Sequence, residues 1–415
     1  MFTPTRPLLL LLFGFVLGCT HADSGQDPLG DGAAPALTGD AQLTDAGLAD
    51  GLAQDAAGEP LPRPWAPPDE TGPFGVGLTT LQFVDPRGKA LVADVWYPAR
   101  LSETDRIARY QYTQISGIAH DEPALERAYG PHPLVAFSHG YISLRFQSYV
   151  MMEHLASHGF VVVATDHPTN TIWDLDPDND PLMMLERPDD IRYSIDHVFA
   201  LAQAPGLLEG AVATDQYAAV GHSFGSVTAL VLGGATVDFG GLQRSCDAGI
   251  GNGRVCALVD EARALDDGRH GGPDPRVVAT VPMSPGIWYA FGPDGRGLAP
   301  VINPLVLAGT RDAVLAWEKE GAPVWHALTP PKILGKFTQA GHYGFSVLCD
   351  ILPGLQEECA GPDGGWEDLR WVLERSQTLV VAHLGLIMRG DPRYAPWLAA
   401  NEMTDEGRLV VERAP

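Results

Sequence analysis

The sequence predicts an α/β fold, in which a mostly parallel sheet is covered by helices on both faces. Short apolar runs such as 161–165 alternate with longer stretches of helical periodicity. These runs are continuously apolar, as is typical of strands buried on both faces of a sheet. One of them, 217–220, leads directly into the sequence Gly-His-Ser-Phe-Gly at 221–225 and then into a helix-compatible run.

The predicted elements alternate along most of the chain. A strand pair at 79–84 and 90–97 is joined by the turn signal Asp-Pro-Arg-Gly. Further strands are predicted at 134–138, 161–165, 217–220 and 277–283 and from 305 and 332, and helices at 145–157, 187–204, after 225 and at 366–389. Insertions interrupt the pattern at 169–185 and 233–275. The second could serve as a lid or side wall, or be a surface excursion without function.

Residues 221–225 fit a nucleophile elbow, the sharp turn that raises a serine above the end of a strand. Glycine is expected at both ends because a Cβ there would clash with neighbouring backbone. The pattern alone is weak in a chain with 47 glycines, but the flanking strand and helix make it specific. Ser223 is therefore the candidate nucleophile, and a structural turn serine is the alternative.

A serine nucleophile needs a histidine base and a carboxylate that orients it. Asp312 follows the strand that begins at 305, and His342 follows the next predicted strand. This order of serine, acid and histidine is the one used by proteins with this type of elbow. Asp166 and Asp350 are competing acids, but neither fits that order.

Two backbone N–H groups are expected to stabilise an oxyanion. The N–H of Phe224 follows the nucleophile, and the N–H of Tyr141 follows a His-Gly break at the end of strand 134–138. Aromatic residues could line an acyl pocket or simply belong to the core. These are Trp288, Tyr289, Phe291 and Tyr343.

These motifs together resemble the bacterial dienelactone-hydrolase-like esterases and the platelet-activating-factor acetylhydrolases. The matching stretches are PLVAFSHGY at 133–141, LASHGFVVVATDH at 155–167, RPDDIRYSIDHV at 187–198, GHSFGS at 221–226 and AGHYGF at 340–345. The resemblance spans the chain from about residue 75 to the C-terminus. It implies an α/β-hydrolase fold and a serine esterase.

One position departs from the acetylhydrolase pattern. In that family the acid follows the strand after the nucleophile helix, and here Ser284 stands at that place. The resemblance then implies an acid from the next strand, as in cutinase-like polyester hydrolases and dienelactone hydrolases. That departure selects Asp312, and it weakens any expectation of phospholipid specificity.

The N-terminus has the pattern of an export signal. Arg6 precedes ten apolar residues at 8–17, a run too short to span a bilayer. Residues 1–18 are predicted to be a signal peptide, and their end resembles a lipobox that would lipidate Cys19. The alternative is an ordinary secretory signal. Residues 19–72 are predicted to be an acidic, disordered tether, and 73–415 the catalytic domain.

The net charge and the cysteines bear on which ligands the protein binds and on whether it forms disulfides. The net charge of −25 argues against nucleic-acid binding, because few groups would neutralise phosphates. Four cysteines follow Cys19 as two pairs of equal, short spacing, which in an exported protein predicts two local disulfides. Crossed pairs remain possible from spacing alone. The expected pairs are Cys246 with Cys256 and Cys349 with Cys359.

The sequence thus predicts a monomeric serine esterase that acts on small-molecule or lipid esters without metal or cofactor. We expect it to be lipid-anchored in the bacterial cell envelope, or secreted if Cys19 is not lipidated. Polyesters and short-acyl phospholipids are alternative substrates, and a catalytically silent lipid- or partner-binding lipoprotein is the alternative class. The acidic run 174–180 departs from a calcium loop at two positions and is interpreted as a solvated loop.

Overall fold

The computed structural model describes residues 62–110, 115–251, 253–266, 271–355, 359, 365–399 and 407–415. The predicted signal peptide, Cys19 and the tether as far as residue 61 lie outside these ranges. The described residues belong to one compact unit, Leu52–Pro415. None of their helices is both long and apolar enough to cross a bilayer.

Within the described residues, twelve strands form a single sheet. They are β1 Gly75–Val84, β2 Ala90–Arg100, β3 Ile107–Arg109, β4 Ile115–Asp121, β5 Ala124–Leu125, β6 His132–Ser138, β7 Val161–Thr165, β8 Val212–His222, β9 Val277–Met283, β10 Leu305–Gly309, β11 Lys332–Phe337 and β12 Leu409–Ala414. The sheet order is β12-β11-β10-β9-β8-β6-β7-β2-β1-β4-β3, and β5 pairs with β2.

The central strands β7, β6, β8, β9, β10 and β11 are all parallel, as predicted. Antiparallel β2 and β12 flank them at either side. The carboxyl ends of the parallel strands therefore meet at one edge of the sheet, which is where open α/β sheets carry their sites.

Helices cover both faces of the sheet, as predicted. They are α1 Tyr149–Ser157, α2 Asp180–Gln203, α3 Phe224–Leu232, α4 Phe239–Asp247, α5 Gly253–Leu265, α6 Gly321–Ala327, α7 Leu348–Ile351 and α8 Leu369–Arg389. Apolar side chains of α1 and α8 pack in one large core cluster, and those of α2 and α3 pack in another. Alternate residues of β2 enter the two clusters, because successive side chains of a strand point to opposite faces.

The starts of α1 and α2 differ most from the sequence prediction. Helix α1 begins at Tyr149 instead of residue 145, because Asp166 holds the backbone N–H and the guanidinium of Arg145 in the preceding turn. Helix α2 begins at Asp180 and continues through Pro188. Because proline normally interrupts or begins a helix, its presence concealed the first turns of α2.

The described part of the predicted tether contacts the folded domain. The ring of Trp65 lies 6.3 Å from that of Tyr394 and 6.5 Å from that of Trp397. The N–H of Gly72 donates to Oγ of Ser157 at 2.9 Å. Packing against the domain therefore begins before residue 73.

Both predicted disulfides are present. Cys246 of α4 is bonded to Cys256 of α5, with 5.5 Å between their Cα atoms. Cys349 of α7 is bonded to Cys359 across 6.2 Å. The first bond joins the two helices of the insertion at 233–275, so that the insertion is a cross-linked helical pair.

Among the residues that the structure describes, six histidines are buried with at most 3% of their surface exposed. Burial lowers the pKa of each one, because the charged imidazolium loses its hydration. The pKa is about 4 for His132 and His383, about 3 for His158 and His222, and well below the usual value for His139 and His167. All six are therefore neutral in the folded protein near pH 7.

We predict that mild acid destabilises the protein because these buried histidines resist protonation. In the unfolded chain these histidines bind protons below a pH of about 6.5. The folded state resists protonation, so the free energy of unfolding should fall by up to ~1.4 kcal/mol per pH unit for each histidine as pH drops from 6.5 toward about 4. Urea unfolding at pH 7, 6 and 5 measures this slope.

A matched pair of variants tests the origin of the acid sensitivity. The variant His383→Gln removes one buried histidine and should make the slope shallower. The side chain of His326 is exposed, and His326→Gln should leave the slope unchanged. Equal stability of the wild-type protein at pH 7 and pH 5 would contradict the prediction.

Candidate active site

The predicted elbow lies between β8 and α3, at the carboxyl edge of the sheet. Ser223 has φ 57° and ψ −122°, a conformation that residues with a Cβ rarely adopt. A Cβ on Gly221 would lie 2.0 Å from the carbonyl oxygen of Gly225, and one on Gly225 would lie 2.0 Å from that of Ser138. Both glycine positions are therefore closed to any side chain, as the sequence analysis expected.

The structure brings Ser223, His342 and Asp312 into one hydrogen-bonded chain. Nε2 of His342 lies 2.9 Å from Oγ of Ser223, and Nδ1 lies 2.7 Å from Oδ2 of Asp312. Asp312 and His342 are buried, whereas Ser223 is partly exposed. This arrangement leaves the hydroxyl group accessible while shielding the groups behind it.

Asp312 is held in its charged form. Burial alone would raise its pKa, but His342 and the backbone N–H groups of Leu315 and Val314 outweigh burial and lower the pKa below its usual value. Those two N–H groups donate to Oδ1 at 2.7 and 2.9 Å. The second oxygen of the carboxylate is thereby left for the imidazole.

Asp166 is engaged elsewhere and Asp350 is exposed, whereas the acid that contacts the imidazole is buried. Asp166 accepts hydrogen bonds from the backbone and the guanidinium of Arg145. Asp350 is exposed on α7. Ser284 follows β9, and its buried Oγ has no hydrogen-bond partner among the described residues.

Both predicted oxyanion donors belong to segments next to the nucleophile. A Cβ built on Gly140 would lie 3.5 Å from Cβ of Ser223, so the turn that carries Tyr141 passes beside the serine. Phe224 is the first residue of α3, and a helix leaves its first N–H groups without an acceptor of its own. The rings of Tyr141 and Phe224 lie 6.2 Å apart. Their role as donors to an oxyanion remains a prediction.

A buried hydrogen-bond network ties these segments together, and sequence reasoning missed its central member, Gln147. Nε2 of Gln147 donates to Nδ1 of His222 at 3.1 Å, and Oε1 accepts from the N–H of Gly140 at 2.9 Å. Nε2 of His222 then donates to the carbonyl of His342 at 2.9 Å. No motif marks Gln147, so only its place in the fold identifies it.

A second array of serine, histidine and aspartate is buried at the ends of β6 and β7. Oγ of Ser138 is 2.9 Å from Nε2 of His167, and Nδ1 of His167 is 2.9 Å from Oδ2 of Asp190. His167 and Asp190 are fully buried, and Ser138 is 2% exposed within regular strand β6. A substrate cannot reach this serine, so the array is structural.

The four candidate pocket residues divide into two groups. Tyr289 and Phe291 are fully buried and pack in core clusters, so they present no surface to a substrate. Trp288 and Tyr343 are partly exposed, and the ring of Tyr343 lies 5.3 Å from that of His342. Of the four, only Trp288 and Tyr343 can contact a bound molecule.

The acidic run 174–180 uses its carboxylates to build its own loop. Asp174 accepts the N–H groups of Thr169 and Thr171 at 2.9 and 3.1 Å. Asp176 accepts the N–H of Asp178 at 3.2 Å. In the described ranges, no group of three or more histidine, cysteine or acidic side chains is arranged to hold a metal ion. The carboxylates of Asp174 and Asp176 therefore act as acceptors for local turns.

The insertion at 233–275 packs against neighbouring segments of the domain. Leu242 of α4 and Val259 of α5 share a small core with Tyr289, and Met184 of α2 lies against it. The insertion thus contacts both the start of α2 and the segment that follows β9. Its role as a lid or side wall remains a prediction.

We predict that Asp312→Asn folds but loses up to about 10⁴-fold in kcat, because His342 would no longer be held in the required tautomer. The matched control is Asp350→Asn, an exposed acid that should have little effect. Asp166→Asn should reduce stability more than turnover, since its partner is a buried arginine. Ester hydrolysis and thermal unfolding of all three variants measure these effects. An Asp312→Asn variant with near-normal turnover would exclude this acid.

Comparison with known proteins supports a family relationship over part of the chain. No curated protein sequence matches the chain significantly. Residues 97–173 match the family model for platelet-activating factor acetylhydrolase, isoform II. The matched region includes the turn with Tyr141 but ends before Ser223, Asp312 and His342. The α/β fold, with its mostly parallel sheet and interleaved helices, is consistent with the α/β-hydrolase fold of this family, to which residues 97–173 are similar.

Proposed function

We propose that the protein is a serine carboxylic-ester hydrolase that works through an acyl-enzyme. The observation that carries this proposal is the chain from Ser223 through His342 to Asp312 at a strained elbow. A buried carboxylate, an imidazole between two partners and a partly exposed serine are the groups that acyl transfer requires. The similarity of residues 97–173 to an acetylhydrolase family supports the same class of reaction.

The proposed mechanism follows from the positions of these groups. Oγ of Ser223 attacks the ester carbonyl while Nε2 of His342 takes its proton. The N–H groups of Tyr141 and Phe224 donate to the resulting oxyanion. His342 then protonates the departing alcohol, and water activated by the same imidazole releases the acid. Asp312 holds the tautomer and stabilises the imidazolium in both steps.

We propose an ester of lipid or small-molecule type as the substrate. The family that residues 97–173 resemble acts on a lipid acetyl ester according to its name, which favours short acyl chains. Polyesters and other short-acyl phospholipids are alternative substrates. Turnover of p-nitrophenyl esters of increasing chain length, together with a polyester film and a phospholipid, would distinguish these classes.

We also propose that the protein works outside the cytoplasm, as a monomer anchored through lipidated Cys19. The two disulfides support an oxidising compartment, because such bonds rarely persist in the cytosol. Cell fractionation of the wild type and of Cys19→Ala tests the anchor. Release of the variant, but not of the wild type, into the soluble fraction is the expected result. Equal membrane association of both would contradict lipidation.

A catalytically silent binding protein is the second candidate. The buried array around Ser138 shows that this fold can hold a serine, a histidine and an aspartate together for structural reasons alone. Labelling by a fluorophosphonate probe separates the two functions, because only an activated and accessible serine reacts. Absence of labelling in folded protein would favour the binding role.

We predict that Ser223→Ala and His342→Ala each lose about 10⁴-fold or more in kcat, with little further loss in the double variant, because the two residues act as a unit. Fluorophosphonate labelling should disappear in Ser223→Ala. The matched control is Ser138→Ala, which removes the hydroxyl of the buried array and should retain labelling. Retention of more than about a tenth of turnover by Ser223→Ala would exclude the mechanism.

A further inference from the structure

Arg187 of α2 is a fully buried cation next to the site. It is 1% exposed, and its three hydrogen-bond acceptors among the described residues are neutral oxygens. Its Nε has no acceptor in the described part of the chain. A buried charge without an opposite charge in contact is costly, and here the carboxylates of Asp190 and Asp180 offset that cost only from a distance. The contacts of Arg187 indicate the role of this buried cation.

Two of the three acceptors are successive carbonyl groups of the turn beside Ser223. Nη1 of Arg187 donates to the carbonyl of His139 at 2.7 Å, and Nη2 donates to that of Gly140 at 3.0 Å. The planar guanidinium presents its donors in a rigid fork, so both carbonyl groups are oriented at once. The next residue in the chain is Tyr141, the proposed oxyanion donor.

Asn170 links Arg187 to the residue on the other side of Tyr141 by hydrogen bonds. Its Oδ1 accepts from Nη2 of Arg187 at 2.6 Å and from the N–H of Ile142 at 3.4 Å. Its Nδ2 donates to Oδ1 of Asp180 at 3.2 Å. Oδ2 of the same carboxylate accepts the phenol of Tyr141. One buried network thus holds the main-chain groups on either side of Tyr141 and also its side chain.

The geometry of the peptide unit determines the direction in which the N–H of Tyr141 points. A trans peptide is planar, and its C=O and N–H point to opposite sides. Arg187 holds the carbonyl of Gly140 together with Nδ1 of His139, which donates to the same oxygen at 2.7 Å. The N–H of Tyr141 must then point away from the guanidinium. Gln147 holds the preceding N–H of Gly140 from another side. The turn therefore has little freedom to rotate.

Arg187 also contacts the second proposed donor residue. Its guanidinium lies 4.6 Å from the ring centroid of Phe224, in the geometry of a cation–π contact. Burial lowers the pKa of Arg187 to about 9, so the group still carries its charge near pH 7. A single side chain thus contacts the turn before Tyr141 and the residue after the nucleophile.

We propose that Arg187 is a positioning residue for the oxyanion hole. Its fork fixes the Gly140–Tyr141 peptide so that the N–H of Tyr141 faces the oxyanion of the tetrahedral intermediate. This inference rests on the proposed esterase function, and it assigns a role to a charge that the triad does not use.

The test compares Arg187→Lys and Arg187→Gln. Lysine keeps the charge but cannot hold two carbonyl groups and Asn170 with one planar fork. Both variants should lose at least about 10-fold in kcat, with KM changed by less than about 3-fold, because the lost interaction acts in the transition state. Rates are expressed per active site, with sites counted by complete fluorophosphonate labelling, so that unfolded protein does not contribute.

Inhibition by a trifluoromethyl ketone is a second measurement. Its inhibition constant would not change if Arg187 only stabilised the fold. Its adduct with a serine carries an oxyanion, so its affinity reports on the donors. The inhibition constant should rise by the same factor as kcat/KM falls across the variants. If Arg187→Lys does not fold, Asn170→Ala weakens the same network and should shift both quantities together by a smaller factor.

Arg389 provides a matched control. It is a partly buried arginine that also lies over an aromatic ring, with its guanidinium 4.0 Å from the ring centroid of Phe160, and its Nε and Nη2 have no acceptor in the described ranges. It ends α8 and contacts the residue that precedes β7, at the opposite edge of the sheet from Ser223. Arg389→Lys should lower stability without changing kcat per active site.

The outcomes separate this inference from the proposed function. Suppose that Arg187→Lys keeps a turnover per site within about 2-fold of wild type while Ser223→Ala is inactive. This result would overturn the positioning role and leave the esterase mechanism standing. If kcat per active site falls in Arg187→Gln but not in Arg187→Lys, the charge alone accounts for the effect. That outcome would also overturn the positioning role. Full activity of Ser223→Ala would instead refute the esterase mechanism.

Discussion

The conformation of Ser223 is the constraint on which the rest of the site depends. Its positive φ is unfavourable for a residue with a Cβ, and such strain persists only where the surrounding structure determines it. The N–H of Ser223 donates to the carbonyl of Met283 at 2.9 Å, which ties the turn to neighbouring strand β9. The close contacts of Gly221 and Gly225 hold the turn against α3 and the end of β6. These contacts hold the hydroxyl at an accessible edge.

A buried network of neutral polar groups holds the loops around that serine. Gln147 and His222 connect the turn after β6 with the backbone of His342, although the three segments are far apart in the chain. His222 can accept from Gln147 only while Nδ1 is unprotonated, and its low pKa keeps it so. The same burial that keeps these histidines neutral makes the folded state sensitive to acid. Positioning of the site and acid sensitivity therefore have one physical cause.

The two serine–histidine–aspartate arrays show why geometry alone does not identify a nucleophile. Their hydrogen-bond distances are nearly the same. Ser138 lies in a regular strand and is buried, whereas Ser223 lies in a strained turn and is partly exposed. Strain and exposure, together with neighbouring N–H groups, separate a candidate catalytic serine from a structural one. They also explain why a short motif in its strand–turn–helix context was more informative than the residue types alone.

The sequence by itself determined the parallel core strands, the elbow and the order of Ser223, Asp312 and His342, because each depends on local patterns. It favoured the two local disulfides by short spacing, and the tertiary structure decided between these and crossed pairs. It did not determine edge strands such as β12 or the start of α2, where the local signal is weak or interrupted by Pro188. Only the tertiary structure decided which aromatic residues stay exposed and which buried groups, among them Gln147 and Arg187, hold the turn beside the serine. Such roles arise from contacts between segments distant in the chain, and no local pattern encodes them.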